Sequence, residues 1–380
     1  MFALGGMNSC RLSELGRLNL EGELDIRGLE NASEATEARK ANLKEKQGLH
    51  SLRLSWDLNA YVKPRQPCNE TQNEGKSMKE LVEALAAQDW DADADLVEDV
   101  FGDLQPHEKL KVLEIEGYVG KTLPWWLMES SPPYLAELSL SSCVRCVHLS
   151  GLEQLHSLRV LKLIMLPAVK CLPALGQLPY LKVLQLMLPA VRCLGSEFYG
   201  GEGAFPSLEE LALALMSDLE EWTVVGSGEF LPRLSKLSID ECPKLRALPS
   251  AFPSVRELEM NADDGLLLSS LHSGAFPNLK HLHVQNCEYS NGNDDCNDSN
   301  DGNDHDDDND DGHDDRNNDD DNNLSLVPRV LADRMRSLGS SSMHIKCKPT
   351  DFYSLFFAFM QQAIEESKYD STPGSDLEES

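Results

Sequence analysis

Nine times between Leu49 and Val284 the chain repeats one spacing: an apolar residue, a second three positions on, and a third two beyond that. The copies are Leu49/Leu52/Leu54, Leu110/Leu113/Ile115, Leu135/Leu138/Leu140, Leu158/Leu161/Leu163 and Leu181/Leu184/Leu186, then Leu208/Leu211/Leu213, Leu234/Leu237/Ile239, Val255/Leu258/Met260 and Leu279/Leu282/Val284. From the second copy on, successive starts lie 25, 23, 23, 27, 26, 21 and 24 residues apart. The last two apolar residues of each copy are two apart, so on an extended chain they share one face while their neighbours share the other. One such strand cannot bury its apolar face alone. Copies at this distance must therefore stack, each covering the next.

A period of about 20 to 29 residues is that of leucine-rich repeats. The expected fold is an α/β repeat: a leucine-rich-repeat solenoid, or horseshoe, whose strands form a concave parallel β-sheet open to solvent. Near-copies such as MLPAVKCL at 165–172 and MLPAVRCL at 187–194 then represent the same backbone in successive turns. Pro167 and Pro189 are expected to end strand pairing, and Val169, Cys171, Val191 and Cys193 to point inward. Counting eight positions from the first leucine reaches Cys143, Cys242 and Cys287, where a buried thiol can bond loop carbonyls; Cys146, Cys171 and Cys193 form a second periodic set. The single C-x-x-C, Cys143 to Cys146, is accordingly expected to be two core thiols. It lacks the second Cys or His pair that a structural zinc site requires.

Charge excludes some functions. The formal net charge is −30, and the run Asn291–Asn323, with 15 Asp and one Arg, supplies fourteen of those charges. Binding to a phosphate backbone rests on Lys and Arg releasing counterions, so no nucleic-acid partner is expected. No stretch reaches the roughly 18 apolar residues of a membrane-spanning helix, and the N-terminus lacks a secretory pattern. Ten cysteines in that context point to reduced thiols and a cytoplasmic, or alternatively nuclear, location.

A more specific signal lies in four stretches. GLENASEATEARKANLKEKQGLHSLRLSW (28–56) resembles the entry to the leucine-rich-repeat region of plant intracellular nucleotide-binding disease-resistance proteins of the coiled-coil class. DLQPHEKLKVLEIEGYVGKTLPWWL (103–127) is similar to that family's next hallmark, and LGQLPYLKVL (175–184) with LGSEFYG, FPSLEEL and LEEW continues it in order, as does ECPKLRALP (241–249). The resemblance implies a defence-related recognition module from which the family's nucleotide-binding domain is missing. GKT at 120–122 does not replace that domain: a phosphate loop needs Gly where the chain has Ile115, and a helix where Leu123-Pro124 follows. No nucleotide and no cofactor are expected.

The expected organisation is an entry and capping segment over 1–48 with a helix at about 31–47, capped by Asn31 with Glu34 and ending at Gly48. Repeats follow over 49–289, with a loop insertion at 64–95 carrying a short helix near Met78–Ala87. A disordered Asp/Asn-rich tract at 290–323 comes next. A degenerate repeat and an amphipathic C-terminal helix are expected within 324–380; in that helix Phe352, Leu355, Phe356, Phe359 and Met360 share a face. The run at 307–312 imitates a calcium loop but has Asn318 where the bidentate Glu belongs.

No nucleophile and base are joined by any motif, His281 and His283 included, so no enzyme is expected. Recognition falls to residues flanking the core leucines, which alternate outward: Arg53, Glu114, Glu116, Lys162, Gln185, Asp240, Glu259, His283 and Gln285. The expected partners are proteins: a pathogen effector, a guarded host protein, or a nucleotide-binding domain of the same family. Two other functions fit the sequence: a truncated adaptor or decoy that binds partners without signalling, and an acidic ion-binding protein acting through the Asp tract.

Overall fold

The computed structural model describes residues 2–4, 10–61, 94–129, 132–224, 230–249, 252–261, 266, 270, 274–285 and 345–348. The expected helix near Met78–Ala87, Cys287, the Asp/Asn tract and the amphipathic tail lie outside the described residues.

Each of the nine leucine motifs forms one strand of a single parallel sheet. These strands are β3 (Gly48–Ser55), β4 (Val112–Glu116), β5 (Glu137–Ser141), β6 (Val160–Ile164), β7 (Val183–Met187), β9 (Glu210–Ala214), β11 (Lys236–Asp240), β12 (Glu257–Asn261) and β13 (His281–Gln285). Two more, β1 (Phe2–Ala3) and β2 (Glu21–Arg27), precede them, and β14 (Ile345–Lys348) follows, making a twelve-stranded sheet in sequence order. From β3 onward the register is uniform, whereas the β2–β3 pairing shifts by one residue between Gly22 and Glu23. Leu113 pairs with Leu138, Leu138 with Leu161, Leu161 with Leu184, and Leu184 with Leu211, so the inward leucines form continuous rows. These rows are fully buried. Each side chain so covered contributes roughly 1.5–3 kcal/mol of apolar burial.

Backbone and side-chain ladders tie successive turns together. Immediately after a strand, Gly117, Ser142, Met165 and Leu215 adopt left-handed conformations, with φ from 51° to 71°. The amide of each donates to the last carbonyl of the next strand: Gly117 to Ser141, Ser142 to Ile164, Met165 to Met187 and Leu215 to Asp240, at 2.9–3.1 Å. Just before the strands, Ser157 Oγ donates to the Pro133 carbonyl, Ser207 Oγ to Pro179, Ser254 Oγ to Pro232 and Asn278 Nδ2 to Pro253, at 2.5–2.8 Å. Buried thiols satisfy carbonyls similarly: Cys143 Sγ lies 3.5 Å from the Ser141 oxygen and Cys242 Sγ 3.5 Å from that of Asp240.

The far side of the sheet is closed by aromatic clusters. Helix α2 (Ala94–Asp103), packed on helix α1 (Ala35–Ala41), inserts Phe101 edge-on among Trp56, Tyr118 and Trp126. Trp126 N–H donates to the Phe101 carbonyl at 3.3 Å. Of the Trp125–Trp126 pair, both in the one-turn α3 (Trp125–Met128), Trp126 is buried and Trp125 exposed. Further on, Phe198, Tyr199, Phe205, Phe230 and Phe252 pass edge contacts from turn to turn, helped by the one-turn α4 (Ser196–Tyr199). Trp222 N–H donates to Tyr199 Oη at 2.7 Å.

Three expectations are corrected. The entry segment is not one helix over 31–47. It is a 3-10 turn at Leu29–Asn31, helix α1 at Ala35–Ala41 and a second 3-10 turn at Leu43–Glu45. Asn31 does not cap with Glu34; its amide donates to the Gly28 carbonyl at 3.1 Å and to Glu30 at 2.8 Å. Asn42, left-handed at φ 51°, ends the helix before Gly48, which instead opens β3.

Second, β3 is not the first strand, and α1 does not cover the sheet's open edge: β2 pairs with β3, and β1 with β2. β2 escaped the motif because Glu21 stands three residues before Leu24, where the other copies carry an apolar residue. Third, Cys171 and Cys193 are exposed. In V-R-C-V the thiol of Cys146 is buried and Val147 points out, whereas in the two later copies Leu172 and Leu194 take the inward place. Alternation along the two-residue strand β8 (Cys193–Leu194), paired with β10 (Glu221–Trp222), then turns Cys193 outward.

Candidate functional site

With the leucines inward, residues 112, 114 and 116 of β4 and their counterparts along the sheet face the opposite way, in three parallel columns. The central column runs Asp25, Arg53, Glu114, Ser139, Lys162, Gln185, Ala212, Ser238, Glu259, His283, each in register with the next. Six of the nine expected recognition residues, Arg53, Glu114, Lys162, Gln185, Glu259 and His283, thus form one line. Glu116 and Asp240 stand in the adjacent column, and Gln285 closes β13, paired with Asn261 and Lys348.

The structure also divides them. Arg53, Glu114, Glu116, Lys162 and Gln185 border one open groove of about 510 Å³ over β3 to β7. Within it Arg53 Nη2 donates to Glu116 Oε2 at 2.6 Å, and Nη1 lies 3.5 Å from Glu114 Oε2. The Glu116 hydrogen bond raises the Arg53 pKa, with Glu114 and Asp25 adding to it against the opposing effect of burial. At this exposure each pair is worth about 1 kcal/mol or less, so it orients the guanidinium more than it stabilises the fold. Asp240, Glu259 and His283 lie further along. Ser238 Oγ donates to Glu259 at 2.9 Å, and His283 Nε2 stands 3.5 Å from Glu257 Oε1.

Sequence reasoning missed part of this face. Asp25 was hidden with the rest of β2. Glu137, Glu210 and Glu257 open their strands, one residue before the second leucine, and share the outward column with Val112, Val160, Val183, Lys236 and His281. Ile164 and Met187 end β6 and β7 facing outward, yet as apolar residues beside leucines they read as core. Strict alternation from Leu163 and Leu186 is the signal that would have placed them.

The sites weighed for other chemistry fit a structural role. Glu98 of α2 accepts the amide hydrogens of Lys121 (2.8 Å) and Thr122 (3.3 Å) and the Thr122 hydroxyl (2.9 Å), so a carboxylate fills the place a phosphate would need in G-K-T. Burial, with some repulsion from Cys146, pushes the Cys143 thiol well above its ordinary range, and burial takes Cys146 to about 12. Such thiols stay protonated and make poor metal ligands. Among the described residues no three His, Cys, Asp or Glu side chains group as a metal site, and no helix is long and apolar enough to cross a membrane.

Residues 12–166 match the family model described as R13L1/DRL21 leucine-rich repeats. The chain is 28 % identical over 272 residues to the disease resistance protein RGA1 of Solanum bulbocastanum, covering 71 % of this chain and 22 % of that protein. It is 28 % identical over 299 residues to the disease resistance RPP13-like protein 1 of Arabidopsis thaliana, covering 75 % and 24 %. A further Arabidopsis thaliana disease resistance protein is 30 % identical over 68 % of this chain and 16 % of its own length. The chain therefore spans about a quarter or less of each of these relatives. Strand pattern, buried leucine rows and these likenesses agree: this is a leucine-rich-repeat region of the plant disease-resistance class.

Proposed function

We propose that the chain is a non-enzymatic recognition module of plant defence that senses a pathogen effector, or a host protein altered by one, through the concave face of its sheet. The observation that carries this reading is the continuous, in-register outward surface of β2 to β13. Its side chains vary freely from strand to strand, while the inward ones are held to leucine and its equivalents. A surface freed from the fold's own requirements suits selection for a protein partner. In complete proteins of the class the same region would also contact the nucleotide-binding domain and restrain it, acting in the cytoplasm or nucleus.

The test is a transient leaf assay. A complete receptor carrying this region is expressed with candidate effectors, and Glu114→Lys or Glu259→Lys is introduced on the concave face. Each reversal is expected to abolish the effector-dependent response while leaving accumulation and thermal melting unchanged. A response indifferent to both reversals but lost on changing the opposite face, for example Trp125→Ala, would place recognition elsewhere.

A further inference from the structure

We infer that the middle of the concave face is an anchor site for an apolar segment flanked by basic residues, which deepens the recognition reading above and rests on it. Over β6 and β7 the outer columns change character. Val160 pairs with Val183, and Ile164 with Met187, where β4, β5 and β11 place Glu116, Ser141 and Asp240 at the Ile164 and Met187 position. Ile164, half-buried, packs on the buried Met165, Met187, Ala214 and Leu215 in a cluster separate from the leucine core on the other face of the sheet, so Ile164 is its accessible part and the methionines are its floor. The fold does not require it, because the leucine rows already close that core. Ile164, Met165, Met187 and Val160 line the groove together with Lys162 and Gln185. Methionine is unbranched and polarizable and reshapes itself around differing apolar partners.

The flanks specify the charge of the occupant. Glu114, Glu116 and Glu137 stand on the β4 and β5 side, and Glu210, Asp240, Glu257 and Glu259 on the β9 to β12 side; against these seven carboxylates, β4 to β12 present only Lys162 and Lys236 outward. Arg53 on β3 offsets part of the Glu114 and Glu116 charge and Lys236 lies 3.5 Å from Glu257, so the outward strand columns stay acidic by excess, seven carboxylates against Arg53, Lys162 and Lys236. An occupant with apolar side chains over Ile164 and Met187 and Lys or Arg on either side meets both requirements; one with acidic flanks is repelled.

The full chain tested by fluorescence anisotropy against three synthetic peptides decides this: KRKGLFLGKRK, EDEGLFLGEDE and KRKGSSSGKRK. The acidic run at 291–323 attracts any basic peptide, so the ratio between the two basic peptides isolates the apolar contribution. KRKGLFLGKRK is expected to bind about tenfold or more tighter than either other, the effect of burying one to two apolar side chains. Ile164→Asp should remove that excess. Glu137→Lys with Glu210→Lys, both exposed and without a packing role, should weaken KRKGLFLGKRK severalfold even if Ile164→Asp fails to fold. Equal binding of the two basic peptides, or an excess that neither variant changes, overturns the proposal. Preference for EDEGLFLGEDE that Ile164→Asp abolishes overturns the charge assignment while leaving concave recognition standing. Dimerisation of the chain that Ile164→Asp abolishes puts a second copy on the window and overturns it too.

Discussion

Single residues decide whether one turn of this solenoid can hand its chain to the next. Gly117 is the sharpest case. At φ 71° it donates to Ser141, and an added Cβ would run into the Trp56 carbonyl oxygen. Gly117→Ala should cost about 1–3 kcal/mol, read as a lowered urea midpoint, because both the left-handed backbone and the close approach penalise it. Ser142, Met165 and Leu215 hold the same conformation with buried side chains, so the left-handed backbone alone does not exclude a side chain. The cysteines divide as sharply. Cys171 and Cys193 should alkylate readily at pH 8, while Cys143 and Cys146 react only after unfolding, as site-resolved mass spectrometry would show. Since folding raises both buried thiols' pKa values above the ordinary 9.0, the stability they contribute is fully present below pH 9. It declines as pH climbs from 9 toward the value near 12 held by Cys146. Thermal melts at pH 8 and pH 10.5 should differ in that direction, and Cys143→Ala with Cys146→Ala should reduce the difference without removing it, because burial also raises the Tyr199 hydroxyl to about 12.

Among the elements, α2 interrupts the repeat between its first two leucine motifs. It lies at the end of the insertion between β3 and β4, packs on α1, and is fixed by Phe101, which meets Trp56, Tyr118 and Trp126. Phe101→Ala removes the centre of that cluster and should cost about 3–5 kcal/mol. Hydrogen exchange should then accelerate in α1 and α2 while β9 to β12 keep their protection. The same helix carries Glu98, whose carboxylate holds the Lys121–Thr122 turn. Glu98→Ala should leave the turn's amides to water and loosen it by about 1 kcal/mol, a loss visible as faster exchange of those two amides. If G-K-T were a nucleotide site, removing the competing carboxylate would open it, and ATP would then raise the melting temperature of Glu98→Ala; the prediction is that it does not.

Across the whole molecule, stability should behave as a sum over neighbours. Each strand pairs only with the one before and the one after, so a defect is felt one or two turns away and then fades. Leu184, fully buried at the middle of the sheet, loses contacts on both sides when truncated, and Leu184→Ala should cost about 2–5 kcal/mol. Protection should fall in β6 and β9, its immediate neighbours, with β2 and β3 unchanged. A uniform loss of protection along the sheet would show a globally cooperative core and contradict the nearest-neighbour picture. The concave face is the other property of the whole, because no single turn makes a groove. Arg53 lies 109 positions from Lys162 in the chain and shares a groove with it only through the stacking of β3 to β6.

The sequence by itself determined the repeat and the direction of the residues inside each leucine motif, since a period-two alternation pinned by leucine allows only one face to turn inward. All nine motif copies are strands for that reason, and the central line of recognition residues follows from the same count. What required the tertiary structure was everything settled by contact between turns. β2 lacks the leading leucine and is recognisable only because β3 pairs with it. Cys171 and Cys193 face out because Leu172 and Leu194, one residue on, fill the interior better. The apolar window of Ile164 and Met187 and its acidic flanks likewise belong to no stretch of sequence. They exist where strands written more than twenty residues apart are brought side by side, and burial of the leucine rows is what holds them there.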